Sequence, residues 1–222
     1  MSIADNISSL KAMLPEGVTL VAVSKTHPAE AVMEAYRAGQ RIFGENRPQE
    51  MRAKYEVLPK DIRWHMIGHL QTNKVKHIAP FVELIHSVDS DRLAAVIDRE
   101  AGKCGRTIDV LLEVHIAAEE SKSGWEESEL LAWLDGGAWK SYSGMRIRGL
   151  MGVASLTDDT ETVKNEFARL HALFRRLRSE YFGEQADLLS MGMTSDYREA
   201  LECGSNMVRI GSLIFGQRDY GK

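Results

Sequence analysis

The sequence predicts a closed (β/α)8 barrel, in which eight parallel strands alternate with helices. Apolar runs of strand length alternate eight times with helical patterns, at even spacing over about 200 residues. The chain of 222 residues, 44% hydrophobic, is long enough for one large core. An open doubly wound sheet is the competing topology, but eight evenly spaced units favour closure. We therefore expect residues 1–222 to form a single α/β domain, a TIM-type barrel with an extra amino-terminal helix.

Composition and charge exclude several classes of function. The net charge of −4 at pH 7 provides no basic field that would recruit nucleic acid or an anionic membrane. The longest apolar runs are only strand-sized, and the amino terminus lacks the basic and then apolar layout of a signal peptide. Cys104 and Cys203 form no motif, as is typical of reduced cysteines. These features predict a cytoplasmic protein without nucleic-acid or membrane partners.

The first half of the chain supplies the extra helix and four strand–helix units. The extra helix is predicted over residues 3–14, where apolar residues recur at helical spacing until Pro15 and Gly17 end it. Pro28 opens the next helix and Gly39 closes it. Strands are predicted over residues 18–24, 41–46, 62–67 and 81–88, and the helices that follow them over residues 28–39, 47–58, 71–78 and 90–103.

The second half of the chain repeats the same alternation. A stripe of apolar residues from Val163 to Tyr181 marks one long helix. A short apolar piece, residues 212–216, follows the last strand. Strands are predicted over residues 107–116, 145–154, 187–191 and 206–210, and helices over residues 126–134, 158–181 and 195–202.

Lys25 follows the first strand, in the stretch LVAVSKTH. The apolar run with two valines is typical of a strand buried on both faces of a parallel sheet. Its carboxyl end points to the region where α/β folds bind ligands. Desolvation there lowers the pKa of a lysine and makes its neutral amine available for carbonyl chemistry. The alternative is a surface lysine that caps a strand.

Polar residues also stand where the other predicted strands end. Strands seven and eight are followed by the segments 189–196 and 209–212, each with a glycine and a hydroxyl residue. Such turns expose N–H groups that bind phosphate, although ordinary capping explains either segment alone. A lysine whose amine can react with an aldehyde, together with two turns that can bind a phosphate, is the combination expected of a pyridoxal 5′-phosphate (PLP) site. The strand-end residues are Lys25, Glu45, Asn46, His65, Ser87, His115, Met151, Ser190 and Arg209.

Eight segments that run nearly end to end along the chain carry a resemblance to a known family. They are AVSKTHP (22–28), FGENRPQE (43–50), WHMIGHLQTNK (64–74), SVDS (87–90), ESKSGW (120–125), GLMGVA (149–154), LSMGMTSDYREA (189–200) and MVRIGSLIFG (207–216). Through them the chain resembles the pyridoxal phosphate homeostasis proteins, which are similar to the amino-terminal barrel domain of alanine racemases.

The resemblance implies a single barrel that holds PLP as an imine on Lys25, with the phosphate at the turns of residues 192–195 and 211–212. Thr194 stands where the family usually has serine, so the hydroxyl donor is kept. His115 falls where asparagine is commoner, which leaves the role of that strand end open. The cofactor-binding residues expected on this basis are Lys25, Asn46, Ser190, Gly192, Thr194, Arg209, Gly211 and Ser212.

The chemistry of Arg209 and the missing second base point to binding rather than turnover. An arginine beside the pyridine nitrogen keeps the ring neutral and makes it a weak electron sink, unless Arg209 pairs with an acid on a neighbouring strand. Racemisation needs a base on each face of the α-carbon. Alanine racemases take the second one, a tyrosine, from another domain, and we expect no such domain here, because the chain ends soon after strand eight. Tyr36, Tyr55, Tyr142, Tyr181, Tyr197 and Tyr220 are expected mostly on helices or outer loops.

We therefore predict a PLP-binding protein of intracellular PLP homeostasis that holds the cofactor reversibly and buffers it or passes it to apo-enzymes. The alternatives are a PLP-dependent amino-acid racemase and a regulatory or RNA-binding barrel without cofactor. We expect a monomer, and no metal site, because His65 and His69 are separated by a strand end and His115 and Glu113 lack a third ligand.

Overall fold

The computed structural model, which describes residues 2–119 and 123–217, contains a closed barrel of eight parallel strands, and the predicted fold is confirmed. Each strand pairs with the next one along the chain, and the last pairs with the first through residues such as Ala22 and Ile210. The strands are β1 (Thr19–Val23), β2 (Ile42–Glu45), β3 (Arg63–Met66), β4 (Leu84–Val88), β5 (Ile108–Glu113), β6 (Met145–Met151), β7 (Leu188–Met193) and β8 (Met207–Ile210).

Helices cover the outside of the barrel at the predicted places. The predicted helix of residues 71–78 is a 3-10 helix, Thr72–His77, because a short segment that soon reaches Pro80 is closed by i→i+3 bonds. The α-helices are α1 (Ile3–Met13), α2 (Ala29–Arg37), α3 (Pro48–Val57), α4 (Asp91–Lys103), α5 (Glu127–Gly136), α6 (Thr160–Leu177), α7 (Tyr197–Glu202) and α8 (Ser212–Phe215). None of these helices, within the residues that the structure describes, is long and apolar enough to span a bilayer.

Several segments differ from the predicted boundaries. The long helix over residues 158–181 ends as an α-helix at Leu177 and continues as one π-helical turn, Arg178–Phe182, before Gly183. A 3-10 turn, Ala138–Ser141, lies between α5 and β6 and was not predicted. Among the strands, β5 ends at Glu113 rather than at residue 116 and β6 at Met151 rather than at residue 154, whereas β7 extends beyond its predicted end at residue 191.

The core has two layers, one outside and one inside the barrel. Between strands and helices lie fully buried side chains such as Trp64, Phe43 and Phe167. Inside the barrel a smaller apolar cluster consists of Val21, Leu84, Leu111, Met151 and Met207. Because side chains alternate along each strand, the residues of one set face the helices and those of the other face the interior. The interior cluster separates the two mouths of the barrel, and the carboxyl-terminal mouth holds a cavity.

The strands β6 and β7 approach each other closely at Gly149, which pairs with Leu188. Gly149 has φ +145°, and a Cβ built there would lie 1.8 Å from the Leu188 carbonyl oxygen. Only glycine fits a strand position that combines this backbone conformation with such a contact.

Candidate functional site

The cavity at the carboxyl ends of the strands has a volume of about 400 Å³, within the usual range of small-molecule sites. The structure brings six of the eight predicted site residues to its wall. A further hydroxyl-bearing turn residue, Ser195, also lies there, although it was not among the predicted site residues. The wall consists of Val23, Lys25, Asn46, Ile67, Val153, Met193, Thr194, Ser195, Arg209, Gly211 and Ser212.

The charges of this wall are all positive. Lys25 and Arg209 contribute an ammonium and a guanidinium, and no carboxylate is found among the described residues of the wall. The apolar side chains of Val23, Ile67 and Val153 complete the surface. An anion is therefore attracted to this cavity without being opposed by a nearby carboxylate in the wall.

Lys25 occupies the second position of a four-residue turn that follows β1. The turn is closed by the N–H of His27, which donates to the carbonyl of Ser24 over 3.1 Å. Thr26, at the third position, has φ +68°. This is a rare conformation for a β-branched residue and costs about 1–3 kcal/mol, which the surroundings must offset. The backbone that carries Lys25 is thus strained and held in place.

Two charged side chains on α3 hold the Lys25 turn. The Lys54 ammonium donates to the carbonyl of Ser24 (2.8 Å), to Oε1 of Glu45 (2.7 Å) and to Oε1 of Glu50 (2.8 Å). The same Glu50 oxygen accepts from the N–H of Thr26 over 2.7 Å. Lys54 and Glu50 stand one helical turn apart, so both reach the turn from a single face of α3. Residues on both sides of Lys25 are therefore anchored.

Glu45 is fully buried at the end of β2 beneath this turn. Its Oε1 accepts from the Ser24 hydroxyl at 2.6 Å, whereas Oε2 has no hydrogen-bond partner in the described structure. Burial raises the pKa of Glu45 to about 7, against the opposing effect of the Lys54 ammonium. Sequence reasoning placed Glu45 at the rim but did not identify this network, because Lys54 is one of many helix lysines in the sequence.

Arg209 reaches the cavity from inside the barrel and is paired with neutral acceptors. Its Nη1 donates to the carbonyl (2.8 Å) and the hydroxyl (2.6 Å) of Ser190, and its Nη2 donates to the carbonyl of Gly152 (2.9 Å). No carboxylate of the described chain pairs with it, so the alternative of an ion pair on a neighbouring strand is wrong. Burial lowers the pKa of Arg209 to about 10, and the guanidinium stays charged at neutral pH.

The turns after β7 and β8 are adjacent, as a closed barrel requires. The N–H of Gly211 donates to Oγ1 of Thr194 over 3.4 Å, which joins them directly. Gly211 opens α8, whose first amides are not needed for its own helical bonds. A Cβ at Gly211 would lie 3.1 Å from the carbonyl oxygen of Val23, so the backbone packs closely against β1.

Ser190 and Gly192 are the two predicted site residues that do not line the cavity. Ser190 is fully buried beneath Arg209. Gly192 lies within β7, which was predicted to end at Met191, because its φ of +95° and a shift in strand register let pairing continue to Met193. A Cβ on Gly192 would lie 2.6 Å from that of Ala200, so this glycine lets α7 pack against the strand.

The other residues noted in the sequence have structural partners. His115 contacts Oε1 of Glu126 at 2.7 Å and the carbonyl of Glu119 at 2.9 Å, so it organises the loop after β5. Asp196 precedes α7 without capping it through its side chain, which accepts from the N–H of Met193 at 2.5 Å. None of the tyrosines within the described residues lines the cavity. Residues 120–122 of the ESKSGW segment and Tyr220 lie outside the described residues.

Sequence comparison identifies the family. The family profile "Alanine racemase, N-terminal domain" matches residues 1–219. The pyridoxal phosphate homeostasis protein of Pasteurella multocida is 39% identical over 216 residues, which cover 96% of this chain and 92% of that protein. The chain belongs to the pyridoxal phosphate homeostasis protein family. The resemblance seen in the sequence motifs is thereby confirmed.

Solved structures agree with this assignment. A structure of PipY from Synechococcus elongatus with PLP bound superimposes with a TM-score of 0.88 at 39% identity, and the match covers 97% of this chain and all of that one. An alanine racemase from Bartonella henselae matches with a TM-score of 0.72 at 16% identity over 60% of its own length. That likeness concerns the barrel fold alone.

Proposed function

We propose that this member of the family binds PLP in the 400 Å³ cavity and holds it reversibly, as part of intracellular PLP homeostasis. The observation that carries the proposal is the convergence of Lys25, Arg209 and the joined turns at Thr194 and Gly211 on one cavity without a wall carboxylate. The relatives named for PLP homeostasis and the PLP-bound PipY structure support the same ligand.

The residues present fit PLP on two structural grounds. Oδ1 of Asn46 is buried in the cavity wall without a hydrogen-bond partner in the described structure, as expected of a group that awaits a ligand. The backbone at Gly211 packs closely against Val23, so a larger residue there would require Val23 to shift by a few tenths of an ångström. When bound, PLP supplies an aldehyde that reacts reversibly with amines and a ring that withdraws electrons.

Each residue of the cavity has a distinct task in this proposal. Lys25 presents its Nζ as the covalent attachment point on a backbone fixed by α3. The hydroxyls of Thr194 and Ser212 donate hydrogen bonds to the phosphate, together with amides of the two turns. Arg209 donates to the pyridine nitrogen and, since it keeps its proton, disfavours a charged ring. A neutral ring is a weak electron sink, which favours holding the cofactor over amino-acid chemistry.

A PLP-dependent amino-acid racemase is the second candidate, favoured by the match to the family profile of the alanine racemase amino-terminal domain. Lys25 could act as one base. No tyrosine of the described chain lines the cavity to act as the other. We therefore propose a non-enzymatic holding role, in which PLP is buffered by a monomer or passed to apo-enzymes.

The attachment of PLP is tested by spectroscopy and peptide mapping. The purified protein should be yellow, and borohydride should abolish its absorbance band and leave a pyridoxyl group on Lys25. Lys25→Ala should lose the band, whereas the control Lys74→Ala should keep it. A pyridoxyl group mapped to Lys74 or Lys122 would contradict the assignment.

The choice between holding and turnover is tested separately. Incubation with L-alanine and a panel of other amino acids in deuterated water should give no enantiomer conversion at ordinary enzymatic rates. Conversion at such rates would establish the racemase candidate. A colourless protein that cannot be loaded with PLP would refute both and support a barrel without cofactor.

A further inference from the structure

A chain of buried polar side chains crosses the interior of the barrel beneath the cavity. Arg209 on β8 contacts the hydroxyl of Ser190 on β7 at 2.6 Å, and that hydroxyl contacts Nδ1 of His86 on β4 at 3.0 Å. Nε2 of His86 in turn lies 3.0 Å from Nδ1 of His65 on β3. The contact between β4 and β7 joins strands that are not neighbours, so this interior chain passes through the lumen.

The interior chain is isolated from water along its length. Ser190 and His86 are fully buried, His65 is 2% exposed and Arg209 is 4% exposed. Its far end is Nε2 of His65, which lies 3.9 Å from Oε1 of Glu83 and has no hydrogen-bond partner in the described structure. That end faces a small cavity of about 130 Å³ at the amino-terminal mouth of the barrel, lined among others by Arg63 and Glu83.

The need to pair the buried Ser190 proton gives every bond in the interior chain a direction. Arginine can only donate, so the Ser190 oxygen accepts from Arg209, and His86 is the acceptor that the described contacts offer to its single proton. Nδ1 of His86 must then be unprotonated, which places the His86 proton on Nε2, facing His65. Nδ1 of His65 accepts it, and the His65 proton therefore sits on Nε2. The reverse arrangement, with a proton on Nδ1 of both histidines, would leave the buried Ser190 proton without an acceptor among the described contacts.

Burial favours the same protonation states. Desolvation lowers the pKa of both His65 and His86, and Arg209 adds a like charge near His86. Both imidazoles are therefore neutral at neutral pH, as the direction of the bonds requires.

We propose that Ser190, His86 and His65 are positioning residues for Arg209: they fix both hydrogens of its Nη1 away from the cavity and so aim the remaining N–H groups at the ligand. The inference rests on the proposed function, since the ligand atom to be met is the PLP pyridine nitrogen. Arg209 has no carboxylate partner in the described chain to orient it. The hydroxyl and carbonyl of Ser190 orient Arg209 instead. His86, which contacts His65 in turn, accepts the hydroxyl proton of Ser190 on the far side, so the Ser190 oxygen presents a lone pair to Arg209.

The first test compares PLP with its 1-deaza analogue, in which the pyridine nitrogen is replaced by C–H. The wild type should bind PLP about tenfold more tightly than the analogue, the value of one ordinary hydrogen bond. In Ser190→Ala and His86→Leu this preference should fall to about twofold or less, whereas His86→Gln, which keeps one acceptor and one donor, should retain it. A loss of affinity that is equal for both ligands would show a merely structural role and overturn the proposal.

Ser87→Ala is the matched control. Ser87 is also a fully buried serine, and its hydroxyl donates to the carbonyl of Gly68 at 2.7 Å, outside the interior chain. This variant should lower stability without changing the preference for PLP over the analogue. A preference that Ser87→Ala reduces as much as Ser190→Ala does would also overturn the proposal.

The second test needs no ligand and separates this proposal from the proposed function. Long-range ¹H–¹⁵N correlation spectra of the unliganded protein should show His65 and His86 as neutral Nε2–H tautomers, assigned with the His86→Gln variant. Ser190→Ala should change the signals of His86. An Nδ1–H tautomer or a charged ring at His86 would refute the interior chain, whether or not PLP binds. Failure of wild-type protein to bind PLP, with the expected tautomers present, would refute the proposed function alone.

Discussion

At the scale of single residues, the site depends on buried charges whose partners are mostly neutral groups. Arg209 donates only to hydroxyl and carbonyl oxygens of its own barrel, and the buried Glu45 leaves one carboxylate oxygen without a partner in the described structure. Burying a charge is costly unless it is hydrogen-bonded, so such residues are kept where they serve a purpose besides stability.

Removing both hydroxyls of the joined turns should separate phosphate binding from the rest of the site. Each is expected to give a charge-assisted hydrogen bond of about 1.5–3 kcal/mol, so Thr194→Ala combined with Ser212→Ala should weaken PLP by more than about tenfold. Binding of unphosphorylated pyridoxal should hardly change, because Lys25 and Arg209 remain. Titrations with both ligands decide the matter. An equal loss for both would mean that the turns are structural.

Glu45 should make stability depend on pH. Its pKa rises from 4.5 to about 7 on folding because it is buried, so the native state binds this proton more tightly than the unfolded chain. The resulting stabilisation is fully present below about pH 4.5 and is lost as the pH rises through about 7. As the pH rises from 5 to 8, the wild type should lose stability relative to Glu45→Gln. The free energy of unfolding of the variant minus that of the wild type should increase by up to about 3 kcal/mol.

Urea unfolding of the wild type and of Glu45→Gln at pH 5 and pH 8 measures this change in the stability difference. The exposed Glu56, paired with Arg52, provides the control variant Glu56→Gln, for which the difference from the wild type should not change with pH. A pH-independent difference for Glu45→Gln would show that Lys54 holds Glu45 ionised throughout, contrary to the expectation.

At the scale of elements, strand contacts tolerate less change than helix surfaces. Gly149→Ala should cost at least about 3 kcal/mol, because its Cβ would collide with the Leu188 carbonyl and its φ is unfavourable for alanine. Gly102→Ala, in the last turn of α4 with open space around it, should instead stabilise the protein by up to about 1 kcal/mol. Urea unfolding and soluble yield measure both. Gly149→Ala within about 1 kcal/mol of the wild type would contradict the close approach of β6 and β7.

The positions of the elements were predictable because they depend on local pattern. Strands buried on both faces form continuous apolar runs, and helices show the 3.6-residue period, so all eight strands were located. The end of β7 was missed because Gly192 was taken as a turn residue, whereas it lets the strand continue. The choice between a 3-10 and an α-helix at residues 72–77 depends on hydrogen bonding that the pattern does not encode.

At the scale of the whole molecule, closure determines what the sequence could predict of the site. The rim residues of β1, β7 and β8 were predicted to converge because a closed barrel makes them neighbours, and the cavity wall bears this out. His86 was not singled out at all, since its contact with Ser190 crosses the barrel between strands that are far apart in the sequence. Lys54 was missed because it is one of many helix lysines, and its contacts with Ser24 and Glu45 lie outside its own helix. Pairs across the interior have no local signature.

Ligand binding should stabilise the entire barrel as one unit. At a PLP concentration of about 100 times Kd, stability should rise by about 2.7 kcal/mol. If the barrel unfolds as a whole, the slowest-exchanging amides of β4 and β5 should then exchange about 100-fold more slowly, although neither strand lines the cavity. Hydrogen exchange checks this, with Lys25→Ala at the same PLP concentration as the control. Protection confined to β1, β7 and β8 would show that the barrel opens in parts.

The pairing of β8 with β1 also has a consequence for synthesis of the protein on the ribosome. Lys25 leaves the ribosome roughly 190 residues before Ser212, which at ordinary elongation rates is about 10–40 s. During that interval the nascent chain carries the lysine proposed to bind PLP without the proposed phosphate turns, and β1 has an unpaired edge. On this proposal, cofactor capture through the site should begin only once the last strand has been added.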